Sequence, residues 1–150
     1  SLSDVKKEFG QSVFYAEMSA GKELPPGAHV LIIDNIGMLS RIYRYATVSY
    51  IGGGFNSDGI HNTLEAAVYA VPVIFGPEYE KFAEANDLIE LGGGFSIDNA
   101  LQLEKLLDDF FADQKLLQNA GEAAGKYVKA KTGATATIMN YVAENRLLIN

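Results

Sequence analysis

Three short stretches of the chain carry residue types that could hold an anionic, hydroxyl-bearing small molecule. The first is Asp34-Asn35-Ile36-Gly37-Met38, where an apolar run stops and a helical pattern opens. Gly37 lets the backbone come close to a ligand, and the first turn of a helix leaves N–H groups facing outward. Asp34 or Asn35 reads equally as a plain helix cap. The second stretch is Gly52-Gly53-Gly54 with the residues that follow, Phe55 to Glu65. A glycine-rich loop leading into a helix could cradle a phosphate, because backbone N–H groups and the helix dipole both favour an anion. No Gly-Lys-Ser/Thr follows, so it is not a Walker loop, and three adjacent glycines do not supply the dinucleotide spacing. Asn62 and Glu65 stand at capping-box spacing, which gives both a purely structural reading beside the functional one. The third stretch, Gly76-Pro77-Glu78-Tyr79-Glu80-Lys81-Phe82, places two carboxylates at an expected helix start, where capping explains at least one of them.

The elements that must position these stretches follow from periodicity. His29–Ile33 is a continuous apolar run closed by Asp34, and Val48–Ile51 and Val71–Phe75 run into Gly52 and Gly76. Such runs fit buried parallel strands. Ser12–Ala16 and Gly94–Ile97 are weaker strand candidates. Helical patterns cover residues 2–10, Met38–Tyr45, Asn62–Ala70, Tyr79–Leu91, Ala100–Phe111, Gln114–Ala130 and Ala134–Leu148. The alternation predicts an α/β fold: a Rossmann-like parallel sheet flanked by helices, which binds ligands outside the C-terminal ends of its strands. The second triplet, Gly92–Gly94, follows a helix and precedes a strand, so it reads as a stop and turn. In the last helix Ile138, Tyr141, Val142, Leu148 and Ile149 are expected to seek a partner surface.

Composition narrows the function classes. The chain has 150 residues, 48% of them apolar, which fits one globular domain. A net charge of -7 with scattered acidic residues argues against nucleic-acid binding, which needs a basic face. The absence of cysteine excludes disulfide and thiolate chemistry. His61 has neither cysteine nor a second histidine nearby, so no metal site is expected around it. No apolar run approaches the ~18 residues of a membrane span.

Taken together, Asp34 to Leu39, Tyr50 to Gly54, Gly59 to Ala67 and Pro72 to Pro77 with Phe82 resemble the C-terminal domain of the 3-deoxy-D-manno-octulosonic acid (Kdo) transferases. His-Asn-x-Leu-Glu followed by Pro-Val-x-x-Gly-Pro carries most of the likeness. The resemblance implies part of a GT-B type glycosyltransferase that takes Kdo from CMP-Kdo to a lipid A precursor in lipopolysaccharide synthesis. Residues 1–150 would then be a partial donor-binding domain, truncated on its N-terminal side. CMP-Kdo is a substrate, and no cofactor or metal is implied. Ile36, Gly37 and Met38 would line the cytidine, and Asn62, Thr63, Leu64 and Glu65 would meet the ribose and phosphate, Glu65 accepting from ribose hydroxyls. The acceptor groove, the catalytic base and the attachment to the cytoplasmic face of the inner membrane would belong to the N-terminal domain. The chain itself is therefore expected to be soluble and catalytically inert, with no catalytic residue of its own. Several positions depart from the family pattern: Met38 stands for glutamate, Asp58 for arginine, Ile60 for glycine, Thr63 for proline and Glu78 for histidine. Two other readings remain open at this point, another GT-B nucleotide-sugar transferase or epimerase, and a non-enzymatic nucleotide-binding domain.

Overall fold

The computed structural model describes the backbone of residues 2–144 and the side chains of residues 4, 5 and 7–133. The chain divides into two compact units, Ser1–Ile42 and Tyr43–Asn150. In the first, helix α1 (Leu2–Glu8) leads to strand β1 (Ser12–Phe14), a short helix α2 (Tyr15–Ser19), strand β2 (Val30–Ile32) and the single-turn helix α3 (Leu39–Ile42). β1 and β2 pair in parallel, Val13 opposite Leu31, and bury Val13 and Ile32. The run expected to be extended as far as Ala16 turns helical at Tyr15. Glu17 and Asp34 supply the reason: the Glu17 carboxylate accepts from the Phe14 N–H, and Asp34 Oδ1 accepts from the Ala16 N–H at 3.0 Å. Two donors freed at the start of α2 are thereby satisfied.

The second unit opens with a 3-10 turn (Tyr43–Tyr45) and holds a three-stranded parallel sheet in the order β3 (Ser49–Tyr50), β4 (Val73–Phe75), β5 (Gly94–Ser96). The strands thus divide between a two-stranded and a three-stranded sheet, both parallel, where the sequence predicts a single one. β4 is central, and its three residues are fully buried. Successive side chains of a strand point to opposite faces. Val73 and Phe75 accordingly pack with Ala66, Ala67, Ala85, Leu88, Ala124 and Tyr127, and Ile74 packs with Ile97, Phe110, Leu117 and Ala120. Burying Phe75 or Ile74 stabilises by about 1.5–3 kcal/mol each. Helices α4 (Leu64–Ala67) and α5 (Ala83–Glu90) cover the first face, α6 (Ala100–Ala112) the second, and α7 (Gln114–Glu144) contributes to both. The Tyr127 hydroxyl donates to Asp87 at 2.8 Å, tying α7 to α5; burial and this bond push its pKa up to about 12.

Three helices differ from the sequence expectation. α4 spans only Leu64–Ala67 where Asn62–Ala70 is expected: the chain tightens after Ala67, with the Tyr69 and Ala70 N–H groups donating to the carbonyls of Ala66 and Ala67, and Ala70 adopts a left-handed conformation (φ 57). α5 begins at Ala83, four residues later than expected: Phe82 is extended, and the Asn86 side chain donates to the carbonyls of Glu80 and Phe82, holding 79–82 as a turn. Where two helices are expected, at 114–130 and 134–148, the described residues form one, Gln114–Glu144, since a glycine inside a helix costs only about 1 kcal/mol and the alanines around Gly133 favour continuation. The apolar side chains named there, from Ile138 to Ile149, lie outside the described residues.

Candidate functional site

In a parallel sheet the C-terminal ends of all strands share one edge. In the second unit that edge carries the loop 52–62 after β3 and the segment 76–82 after β4. The loop leaves the strand at Gly52 and returns beside it. Gly53 bridges antiparallel to Ile60, Gly54 N–H donates to Gly59 O at 2.8 Å, and His61 N–H donates to Gly52 O at 3.1 Å. Helix α4 therefore starts at the ligand edge of the sheet, with Asn62 to Glu65 as its entry.

The glycine run serves the protein's own packing. Gly54 has φ 79, and a methyl group on it would lie 2.9 Å from the Gly76 Cα. Only two glycines let these main chains pass so closely, and the Glu78 N–H donates to Gly54 O at 2.9 Å across the junction. Ile60 fills the buried core beneath the loop. The phosphate cradle considered for Gly52–Gly54 is thus largely closed against the protein itself.

At the entry to α4 the two readings of Asn62 and Glu65 separate. Asn62 Oδ1 accepts from the Leu64 N–H at 3.0 Å, which caps the helix. Asn62 Nδ2 donates to Glu65 Oε1 at 3.2 Å. Capping therefore falls to Asn62, and Glu65 is held by the Asn62 amide. The second carboxylate oxygen of Glu65 has no hydrogen-bond partner among the described residues. Tyr43, on the 3-10 turn, stands near enough for the Glu65 charge to act on it. Burial first and that charge second raise the pKa of the phenol, so it stays a protonated donor at neutral pH. Nothing in the sequence marked Tyr43, because a tyrosine beside an arginine carries no motif.

Thr63 faces inward. It is 1% exposed, and its Oγ1 has no hydrogen-bond partner among the described residues. Any ligand contact at this position falls to its main chain. Leu64 is half-buried on the core. Ile36, Gly37 and Met38 lie in the first unit, between β2 and α3. Gly37 has φ 90, Ile36 is fully exposed, and Asn35 Nδ2 donates to Met38 Sδ at 3.0 Å. Neither cap reading of Asp34 or Asn35 holds for α3: Asp34 bonds to α2, and Asn35 bonds to Met38. The expectation that Glu78 or Glu80 caps a helix fails as well, because α5 begins beyond both.

A second feature at this edge was not apparent from the sequence. A cleft of about 180 Å³ lies between the loop tip and the segment after β4, lined by Ser57, Gly59, Pro77, Glu78, Glu80 and Lys81.

No protein-family model matches the chain. It is similar to 3-deoxy-D-manno-octulosonic acid transferases, with 33% identity over 123 residues to that of Bordetella pertussis, covering 81% of this chain and 29% of the relative. The Aquifex aeolicus transferase is 29% identical over 104 residues, covering 67% of this chain and 30% of its own length. The chain is homologous to the Kdo transferase family. It spans less than a third of the length of these relatives. The C-terminal CMP-Kdo binding domain of WaaA from Acinetobacter baumannii shares the fold, with a TM-score of 0.66 at 24% identity over 78% of this chain and 60% of that one. The Rossmann-like α/β architecture thus agrees with the domain that the resemblance indicates.

Proposed function

We propose that this chain is the donor-binding portion of a glycosyltransferase that moves Kdo from CMP-Kdo to a lipid A precursor. The reading rests on one observation, the similarity to Kdo transferases across 81% of the chain. In this reading Asn62 to Glu65, at the C-terminal edge of the second unit's sheet, meet ribose and phosphate, and the assignment of Ile36, Gly37 and Met38 of the first unit to the cytidine rests on the family resemblance. Glu65, with one oxygen held by Asn62, offers the other to ribose hydroxyls as a charge-assisted acceptor. Asp58, where the family has arginine, leaves the phosphate to main-chain N–H groups and to parts outside this chain.

Glycosyl transfer needs a general base within hydrogen-bond reach of the attacking hydroxyl, and both substrates held together. Glu65 is engaged in binding, so the base and the acceptor groove belong to an N-terminal half, which also supplies attachment to the membrane. No helix among the described residues is long and apolar enough to cross one. Calorimetric titration with CMP, UMP, UDP and GDP tests the reading: CMP binds best, weakly in this chain alone. Equal affinity for all four, or none for CMP with the N-terminal half present, overturns it. A transfer assay with CMP-Kdo and acceptor is expected to show no turnover by this chain; turnover lost on changing Asp58 or Glu78 would place a base here after all.

A further inference from the structure

We infer that the face formed by Arg44, Val68, Tyr69, Lys126 and Lys129 docks on an anionic lipid surface. Val68 and Tyr69 lead into the N-terminal end of β4, away from the sheet edge that carries Asn62 to Glu65, so the inference does not depend on the donor-binding reading.

Packing at the exit of α4 builds this face. The turn after Ala67 closes on Ala70, whose left-handed backbone (φ 57) is uncommon for a residue with a side chain. Two glycines let α7 lie against that turn: a methyl on Gly121 would collide with Ala70 O, and one on Gly125 would lie 3.0 Å from Ala70 Cβ. The turn thereby presents Val68, 53% exposed, and Tyr69 beside the Glu122, Lys126 and Lys129 side of α7, around an open depression of about 300 Å³. The Arg44 guanidinium joins them over the Tyr69 ring, 5.9 Å from its centroid.

In a chain of net charge -7, three cations gather here around one tyrosine, and Glu122 is the one carboxylate lining the depression. Lys126 holds Glu122 at 3.5 Å, while neither Arg44 nor Lys129 has an ion pair among the described residues. Exposed charges are largely screened beyond a Debye length, ~10 Å at 0.1 M salt, so the local sign rather than the net charge decides what approaches. The arrangement fits a surface better than a discrete ion. A phosphate cradle converges main-chain N–H groups on one point. Here the cations are carried by two separate elements, with an aliphatic and an aromatic side chain between them. Tyrosine rings and lysine stems settle at a membrane interface with their apolar parts inward and their polar tips among the headgroups. The negative surface potential of an anionic leaflet draws basic residues to it. Such a contact is superficial and salt-sensitive, and it adds to the attachment proposed for an N-terminal half.

The test is co-sedimentation of this chain with vesicles of equal parts phosphatidylglycerol and phosphatidylcholine, and with vesicles of phosphatidylcholine alone. Binding is expected to the anionic vesicles only. The partition coefficient should fall about tenfold when Lys126→Glu and Lys129→Glu are combined, and again when salt is raised severalfold. Thermal melts of the variants should match the parent chain. Should the double variant melt early, Lys129→Glu alone, which breaks no ion pair, decides by moving binding in the same direction. Equal binding to both kinds of vesicle, binding to neither, or unaltered binding in the charge-reversed variants would overturn the inference. Competition by inorganic phosphate at constant ionic strength would overturn it too, because it would mark a discrete phosphate site instead of a lipid surface.

Discussion

The two glycine triplets have the same composition and sit at opposite ends of the same sheet. Gly52–Gly54 leaves β3 at its C-terminal end, and Gly92–Gly94 enters β5 at its N-terminal end. In the first, Gly53 and Gly54 both have positive φ, and the loop turns back on itself beside the cleft and α4. In the second, Gly92 (φ 77) ends α5, and Gly93 packs against the α7 backbone, where a methyl would lie 2.5 Å from Ala124 N. Each triplet contains glycines that close packing demands, Gly54 against Gly76 and Gly93 against Ala124. Only one stands at the edge where a parallel sheet binds ligands. A glycine run is therefore informative about function through its place in the topology rather than through its composition.

The contrast can be broken most forcefully at Gly54. Gly54→Ala combines a left-handed backbone with a collision against Gly76, and it is expected to cost about 3 kcal/mol. It should also remove CMP binding, since the loop and the entry to α4 move together. Chemical denaturation with parallel CMP titration measures both. Gly93→Ala is expected to cost about 2 kcal/mol through the Ala124 contact, with CMP affinity of the folded protein unchanged. Loss of CMP affinity in Gly93→Ala without unfolding would erase the functional distinction between the triplets. A smaller effect of opposite sign is expected at Thr63. Thr63→Val removes a buried hydroxyl without a partner and keeps the shape, so a thermal melt should show a gain of about 1 kcal/mol. No gain would mean that the hydroxyl is satisfied in solution by water.

Much of this was legible in the sequence, and particular residues show where legibility ended. β4 stood out because Val71–Phe75 is a short apolar run closed by Gly76-Pro77. The pairing of Asn62 with Glu65 followed from their spacing, although which of the two caps the helix did not: that depends on the Asx geometry at Leu64. The inward turn of Thr63 was hidden because burial is decided by what packs over α4, not by the local pattern. Tyr79 to Phe82 were misplaced on a helix because the carbonyl bonds from Asn86 are side-chain interactions that periodicity does not see. The cleft itself joins two separate segments, and no spacing rule connects Ser57 with Lys81. The join across Gly133 was missed for a simpler reason: a glycine penalises a helix by less than its alanine-rich neighbours and tertiary packing restore.

The most direct test of the central claim concerns Glu65, whose carboxylate is held by Asn62 yet does not cap the helix. Glu65→Gln keeps an oxygen for the Asn62 amide but replaces a charged acceptor with a neutral one. The melting temperature should stay within the small range of surface substitutions, ~0.5 kcal/mol, while CMP affinity, measured by calorimetry in the presence of the N-terminal half, falls about tenfold. Unchanged CMP affinity together with a stability loss of about 1 kcal/mol would contradict the account, because it would make Glu65 a structural cap and leave the ribose without its proposed acceptor.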